Sequence, residues 1–510
     1  MATTVSPPAP PELGRDSADL ESFGYQPVLH RKLGRYASFA AGFSFVSILT
    51  TIFQFFGLGY SFGGAAFFWT WPIVFAGQLL VALNFAELAA RYPISGCIYQ
   101  WSRRLGGEIV GWFAGWMMVI AQIVTAAAAA IALQVVLPSI WGGFQLVGED
   151  SALTSPSGAT NAVLLGSILL VVTTAINVIG IDLMARINSV GVTVEIVGVA
   201  AIVALFFIDT ERGPGVVLQT EHAAPGPYWS AFLVSGLMAA YVMVGFDSAG
   251  ELSEETKNPR RVAPRTILTA LSVSALGGGL MLLGALMAAP SLDDGSLATE
   301  GLAYVLTAKL DTVPGKILLG CVAVAVTVCT LAIQTAGSRL MFSMARDGKL
   351  PFAKQLAAVH PRYGTPVWPA VVIGALGIGL LVLNLGNAAI FATLAGVCIV
   401  TLYLAYLLVT VPLLLRRVKG WDDERDPSLF SLGRFGIPVN AVAVLWGVAM
   451  VINLAWPRAE VYIPNGGGWW MLWAAPLFVA LVVAVGLTVH RLVVVGPSRA
   501  ETPETAVATA

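Results

Sequence analysis

The amino-acid sequence predicts an all-α integral membrane protein of twelve transmembrane helices. Three observations predict it: a deficit of charge, apolar runs of membrane-crossing length, and Lys and Arg gathered on one side of those runs. Charged residues make up 11% of the 510 and hydrophobic ones 57%, whereas soluble domains carry about 25% charged residues. The mean hydropathy is +0.80. Such a chain lacks the polar groups to cover its surface in water, and can face lipid instead.

A crossing needs about 20 mostly apolar residues. Runs of that kind lie near 38–62, 67–89, 109–137, 160–180, 188–208, 228–250, 267–289, 315–338, 367–385, 389–415, 437–456 and 469–493. With the N-terminus inside, all of the 28 Lys and Arg fall on the inner side except Arg212, Lys309, Lys316 and Arg458. This is the bias expected of a cell-membrane protein with both termini cytoplasmic. Residues 1–32, Pro-rich and acidic without a signal peptide, read as a disordered cytoplasmic tail, and 496–510 as another. The transmembrane domain then spans 33–495.

A net charge of −1 provides no field for nucleic acid. Cys97, Cys321, Cys329 and Cys398 have no metal-ligand spacing and read as small apolar fillers. His30, His222, His360 and His490 share no helix spacing. No metal, cofactor or catalytic cluster is expected, and so no enzyme.

Two runs are interrupted in the same way. The first, FSFVSILTTIFQFFGLGYSFGG (43–64), carries Thr50-Thr51 and then four glycines; the sixth, FLVSGLMAAYVMVGFDSAGELSEE (232–255), carries Gly245, Asp247 and Gly250. Matching interruptions in two halves point to a transporter's binding site. They suggest inverted repeats over about 36–208 and 226–415, followed by two peripheral helices over about 437–493. Backbone groups freed at mid-membrane must line a cavity. Freed N–H groups at a half-helix start attract a carboxylate, and freed carbonyls attract an ammonium. A small amine or zwitterion is the natural ligand.

Three loop motifs carry a resemblance. AELAARYPISGCIYQW (86–101), EETKNPRRVAP (254–264) and SRLMFSMARDGKLP (338–351) resemble, in order and spacing, the loops after helices 2, 6 and 8 of the amino acid–polyamine–organocation superfamily. GFDSAGELSEET (245–256) is most similar to the amino acid/choline branch, whose members carry γ-aminobutyrate, choline, other amino acids or polyamines. The resemblance covers about 33–493. It implies a leucine-transporter-like fold of five plus five inverted helices, with helices 1 and 6 discontinuous, acting as an amino acid permease by alternating access. Two departures stand out: Leu49-Thr50-Thr51 replaces the usual glycine-serine-glycine break, and Gly96-Cys97 replaces a Gly-Gly pair.

The candidate residues follow from both lines of reasoning. Backbone N–H groups around Thr50, Thr51 and Ile52 would take a carboxylate, with Ile48 and Leu49 beside them among the substrate-binding residues. Carbonyls from Tyr241 to Gly245, with Asp247, would take the amine, unless Asp247 caps the following half-helix. Phe246 could cover the substrate. The resemblance adds Gln122 on helix 3 and Tyr241 as a gating aromatic; Thr327, Thr330 and Gln334 on helix 8 could face the same cavity. Glu195, flanked by apolar residues in helix 5, lies close to where proton-coupled relatives place a lysine, and is the candidate proton carrier. Glu87, Arg91, Glu254, Arg261 and Arg339 are candidates for a cytoplasmic gate. The expected partners are an amine or amino-acid substrate, a coupling proton and the bilayer, in a monomer or weak homo-oligomer. Sodium symport, exchange, a channel and a nutrient sensor remain as alternatives.

Overall fold

The computed structural model describes residues 11–153, 155–310, 312–383, 385, 390–421, 426, 428–459 and 469–495. Among them the regular structure is helical, with isolated bridges at Leu33–Thr256 and Gly63–Ala223. In chain order the helices that build the molecule are α1 (Pro11–Ser22), α2 (Arg35–Val46), α3 (Ile48–Gly63), α4 (Thr70–Arg91), α5 (Cys97–Gly106), α6 (Glu108–Ile131), α7 (Leu133–Ile140), α8 (Pro156–Ile179), α9 (Ile181–Ile208), α10 (Tyr228–Val242), α11 (Ser248–Glu251), α12 (Pro259–Ala288), α13 (Gly295–Thr299), α14 (Leu302–Lys309), α15 (Thr312–Arg346), α16 (Ala353–Leu356), α17 (Val367–Leu383), α18 (Ile390–Val418), α19 (Gly436–Ala455) and α20 (Ala474–His490). The expected tail at 496–510 lies outside the described residues.

Nine helical stretches among the described residues are long and apolar enough to cross a membrane, and α10 and α17 are shorter apolar helices. They divide into a core and a rim. The most apolar stretch of the α6–α7 run is 89% buried, that of the last helical run 17%. α6 packs against α18 and α15, and its small side chains, from Ala126 to Ala130, let those helices approach closely. α20 turns most of its surface outward, as a lipid-facing helix does.

The N-terminal segment differs from the disordered tail that composition suggests. Residues 1–10 lie outside the described residues, but further on Leu20, Leu29 and Leu33 are buried. α1 is held by Asp16, which accepts from the Asn258 amide at 2.9 Å, and by an Asp19–Arg260 ion pair at 2.8 Å. Leu33 exchanges backbone bonds with Glu255 and Lys257. Long-range contacts order a segment whose own composition would not.

Candidate functional site

The first run does come apart, but at Ser47. α2 closes with the Ser47 amide on the Phe43 carbonyl, and α3 opens with the Thr51 amide on the Ser47 carbonyl at 3.0 Å. Ser47 itself takes a left-handed conformation, φ 35°, which costs a non-glycine residue roughly 1–3 kcal/mol. Thr50-Thr51, expected to be the break, belongs to the new helix. The Thr51 hydroxyl donates back to the Ser47 carbonyl at 2.8 Å, and the Thr50 hydroxyl bonds the Ser47 hydroxyl at 2.7 Å. Hydroxyls that bond the local backbone favour helix starts, so the cue was real but displaced by one turn.

Glu195 of α9 is bonded to this break. Its Oε1 accepts from the Ser47 hydroxyl at 2.9 Å and from the Leu49 amide at 3.2 Å, and Oε2 has no partner. The side chain is fully buried. The amide of Leu49, an expected substrate-binding residue, is therefore already engaged.

The second break runs over residues 243–247. α10 ends with the Met243 amide on the Ala239 carbonyl. Gly245 has φ +85°, and a Cβ there would stand 1.7 Å from the Phe45 ring, so glycine is required both for the turn and for the close approach. The Gly245 amide donates to the Tyr406 hydroxyl at 3.0 Å, and that hydroxyl donates to Asp247 Oδ1. Asp247 makes no side-chain cap of α11.

The two breaks face a cavity of about 20 Å³, lined among others by Phe45, Thr51, Gln54, Thr125, Tyr241 and Cys329. A space of that size holds about one water, so the pocket is nearly closed. Above it, on the face away from α1, a vestibule of about 700 Å³ reaches down to Gln54 and Tyr241, which line both spaces. Gln54 donates to the Ala128 carbonyl at 3.1 Å and leaves Oε1 without a partner.

Of the expected ligand residues, Thr51 and Tyr241 reach this cavity, and Ile48, Leu49, Thr50, Gly245 and Asp247 sit at the breaks. Ile52 turns towards Gly278 of α12. Phe246 packs behind the break against Phe85 and Tyr406. Gln122 and Thr330 are fully buried away from it, Gln122 against Gly337 and Thr330 bonded to the Val326 carbonyl. Thr327 bonds its own helix and Gln334 bonds Thr174. Residues the sequence reading passed over are Ser47, Phe45, Gln54, Thr125, Cys329, Cys398 and Tyr406. Thr125 and Gln54 each lie one helical turn beyond a residue that was singled out, and that spacing was the available signal.

On the α1 face, ion pairs seal the bundle. Arg339 forms a two-point bond with Glu255, and Arg346 another with Glu254, whose Oε1 also takes the Ser95 amide. Asp347 accepts from Arg103, Tyr99 and Tyr25. Glu87 holds Arg91 at 3.1 Å and Arg417 at 2.5 Å, in a separate cluster. Arg261, expected in the gate, is exposed and among the described residues bonds Ser428; one residue earlier, Arg260 points to α1 instead.

Comparison with known proteins places this architecture. The family model described as amino acid permease matches residues 33–485. The chain belongs to this family. The permease is 27% identical to the amino-acid permease BAT1 of Arabidopsis thaliana over 477 residues, covering 88% of this chain and 90% of the relative. It is 26% identical to amino-acid permease 2 of Neurospora crassa, covering 88% and 82%. It is 30% identical to the methylthioribose transporter of Bacillus subtilis over 339 residues, covering 63% and 70%. The permease is thus a multi-pass membrane transporter of the amino acid–polyamine–organocation superfamily.

Proposed function

We propose that the permease carries amino acids or related amines, γ-aminobutyrate, choline and polyamines among them, across the cell membrane by proton-coupled alternating access. One observation carries the reading: two interrupted helices meet across a small, nearly closed pocket, and a buried carboxylate, Glu195, is bonded to one of the interruptions. The 57-residue run Arg35–Arg91 is about 85 Å of helix, enough for two crossings. Counting it twice and adding the two shorter apolar helices brings nine stretches to twelve. The first ten form two inverted repeats, and α19 and α20 stand at the periphery.

In this reading the α1 face is cytoplasmic, with both termini. The substrate enters from the opposite vestibule and settles between the breaks. Its carboxylate, where it has one, takes first-turn amides of α3, and its ammonium takes carbonyls of 241–245 and the free oxygen of Gln54. Proton binding at Glu195 would loosen its hold on Ser47 and Leu49 and let α2 and α3 rock against α9. The ion pairs of Glu254, Glu255 and Asp347 must part for release inward.

Purified permease in liposomes, screened with amino acids, γ-aminobutyrate, choline and polyamines, tests the reading. An inward proton gradient should raise uptake, and Glu195→Gln should abolish that gain while leaving substrate-for-substrate exchange. Uptake that follows sodium, or a Glu195→Gln variant that still responds to the proton gradient, rejects the coupling. No uptake or exchange of any of these solutes rejects the substrate class.

A further inference from the structure

Below the second break lies a group of side chains of which the transport reading uses Asp247 alone. Cys97 opens α5, and Asp247 and Glu251 are four residues apart at α11. The Cys97 thiol donates to Glu251 Oε1 at 3.3 Å. Sγ and one oxygen from each carboxylate lie within 4.8 Å of one another, and all three side chains are completely buried.

Charge makes this group unusual. Asp247 Oδ2 and Glu251 Oε2 have no hydrogen-bond partner. No Lys, Arg or His among the described residues forms an ion pair with either carboxylate. The gate carboxylates nearby are different: Glu254 and Glu255 each have an arginine. Two carboxylates buried without a counter-cation are expensive, and the same site supplies a thiol.

We propose that Cys97, Asp247 and Glu251 form a binding site for a borderline-soft divalent cation of the Zn²⁺ class. One sulfur and two carboxylate oxygens are a donor set such ions accept, with a fourth position for water. The sulfur disfavours Mg²⁺ and Ca²⁺, which prefer oxygen throughout. Tyr406, bonded to Asp247 Oδ1, orients that ligand from behind. The cation would tie α5 to α11. Because α11 leads directly into the ion-paired segment at Glu254 and Glu255, the bound ion would hold the α1 face shut. This departs from the expectation drawn from the sequence, in which the cysteines are fillers and no metal is present.

The experiment uses the full chain in detergent, with Zn²⁺ and Cd²⁺ as probes and Mg²⁺ as the control. One Zn²⁺ should bind per chain and Mg²⁺ should not compete. Cd²⁺ should give a thiolate charge-transfer absorption that Cys97→Ser removes, while Zn²⁺ affinity falls at least about tenfold. Glu251→Gln should weaken binding by a similar factor while keeping the Cd²⁺–thiolate signal at saturating metal, which separates loss of a ligand from loss of the fold. Uptake by proteoliposomes, normalised for each variant to its metal-free rate, should slow with Zn²⁺ only where Cys97 is present. Absence of Zn²⁺ binding to the wild-type chain, or binding and Cd²⁺ absorption unchanged in Cys97→Ser, overturns the proposal. Binding is read without substrate, so a failure of the transport reading leaves this result standing.

Discussion

Arg339 of α15 and Glu255 after α11 meet through two bonds of 2.9 and 3.0 Å, with neither side chain reaching solvent. The geometry is the two-point fit of a planar guanidinium on a carboxylate. Ser338 takes a further guanidinium proton at 2.9 Å. The pairing satisfies both buried charges, and removing one partner leaves the other to bear the cost of burial alone.

Removing one partner should therefore cost far more than removing both. Glu255→Gln or Arg339→Met leaves an unpaired group in the interior, at about 3–5 kcal/mol. The Arg339→Met/Glu255→Met double variant should recover much of that. Thermal unfolding of the purified variants measures it as a double-mutant cycle. Additive losses would mean that the pair is not coupled.

Gly245→Ala should prevent the two breaks from meeting. The added methyl collides with the Phe45 ring, and the positive φ strains any L-residue. Phe45→Ala in the same chain opens space for the methyl but leaves φ unchanged, so the double variant should regain folded protein only in part. Size-exclusion yield and melting temperature decide between a steric origin and a purely conformational one.

Tyr406→Phe removes a single hydroxyl that holds both the Gly245 amide and Asp247 Oδ1. Each buried group left without a partner costs about 1–3 kcal/mol. The loss should appear as a lower melting temperature with uptake reduced, whereas Tyr403→Phe, which frees only Gln78 and a long contact to the Ala240 carbonyl, should be milder.

These residues also show what was legible in the sequence. Gly245 was, because a glycine beside a carboxylate inside an apolar run weakens the helix at the depth where lipid would otherwise enforce it. Ser47 was not: serine carries no left-handed preference, and the side chain its hydroxyl meets, Glu195, is 148 positions away. Gln122 is the expectation rather than Thr125 because α6 is apolar around its whole circumference, so no stripe reveals which side faces the cavity. Helix rotation is settled by packing, and a shift of one turn separates the residue chosen from the residue that lines the pocket. The N-terminal segment failed for a related reason. Tyr25 bonds Asp347 across 322 positions, and composition reports only on local chain.

That docking carries a pH dependence. Burial, and then the Asp347 carboxylate, raises the Tyr25 phenol above its ordinary value of 10.0. The docked segment thus holds the phenol proton more tightly than a free one. Its contribution is complete below pH about 10 and is lost as pH rises through the docked value. A spin label at Ser22→Cys should stay immobile at neutral pH and loosen above about pH 10. Tyr25→Phe should loosen it at every pH, and an unchanged label would mean that α1 is held by Asp16 and Asp19 alone.

Gln54 gives the sharpest test of the pocket. It lines both the small cavity and the vestibule, and its Oε1 is aligned by the Nε2 bond to Ala128 yet bonded to nothing. An acceptor fixed in that way is ready for a cationic donor, and a hydrogen bond to a charged group is worth about 1.5–3 kcal/mol. Gln54→Leu keeps the volume and the apolar packing but removes the acceptor. It should raise KM for an amine substrate by about tenfold or more while changing the maximal rate little, because the interaction is made on binding. Gln54→Glu should lower KM for the same amine. If both variants leave KM where it was, the ammonium does not sit at Gln54, and the substrate lies deeper, against Gly245.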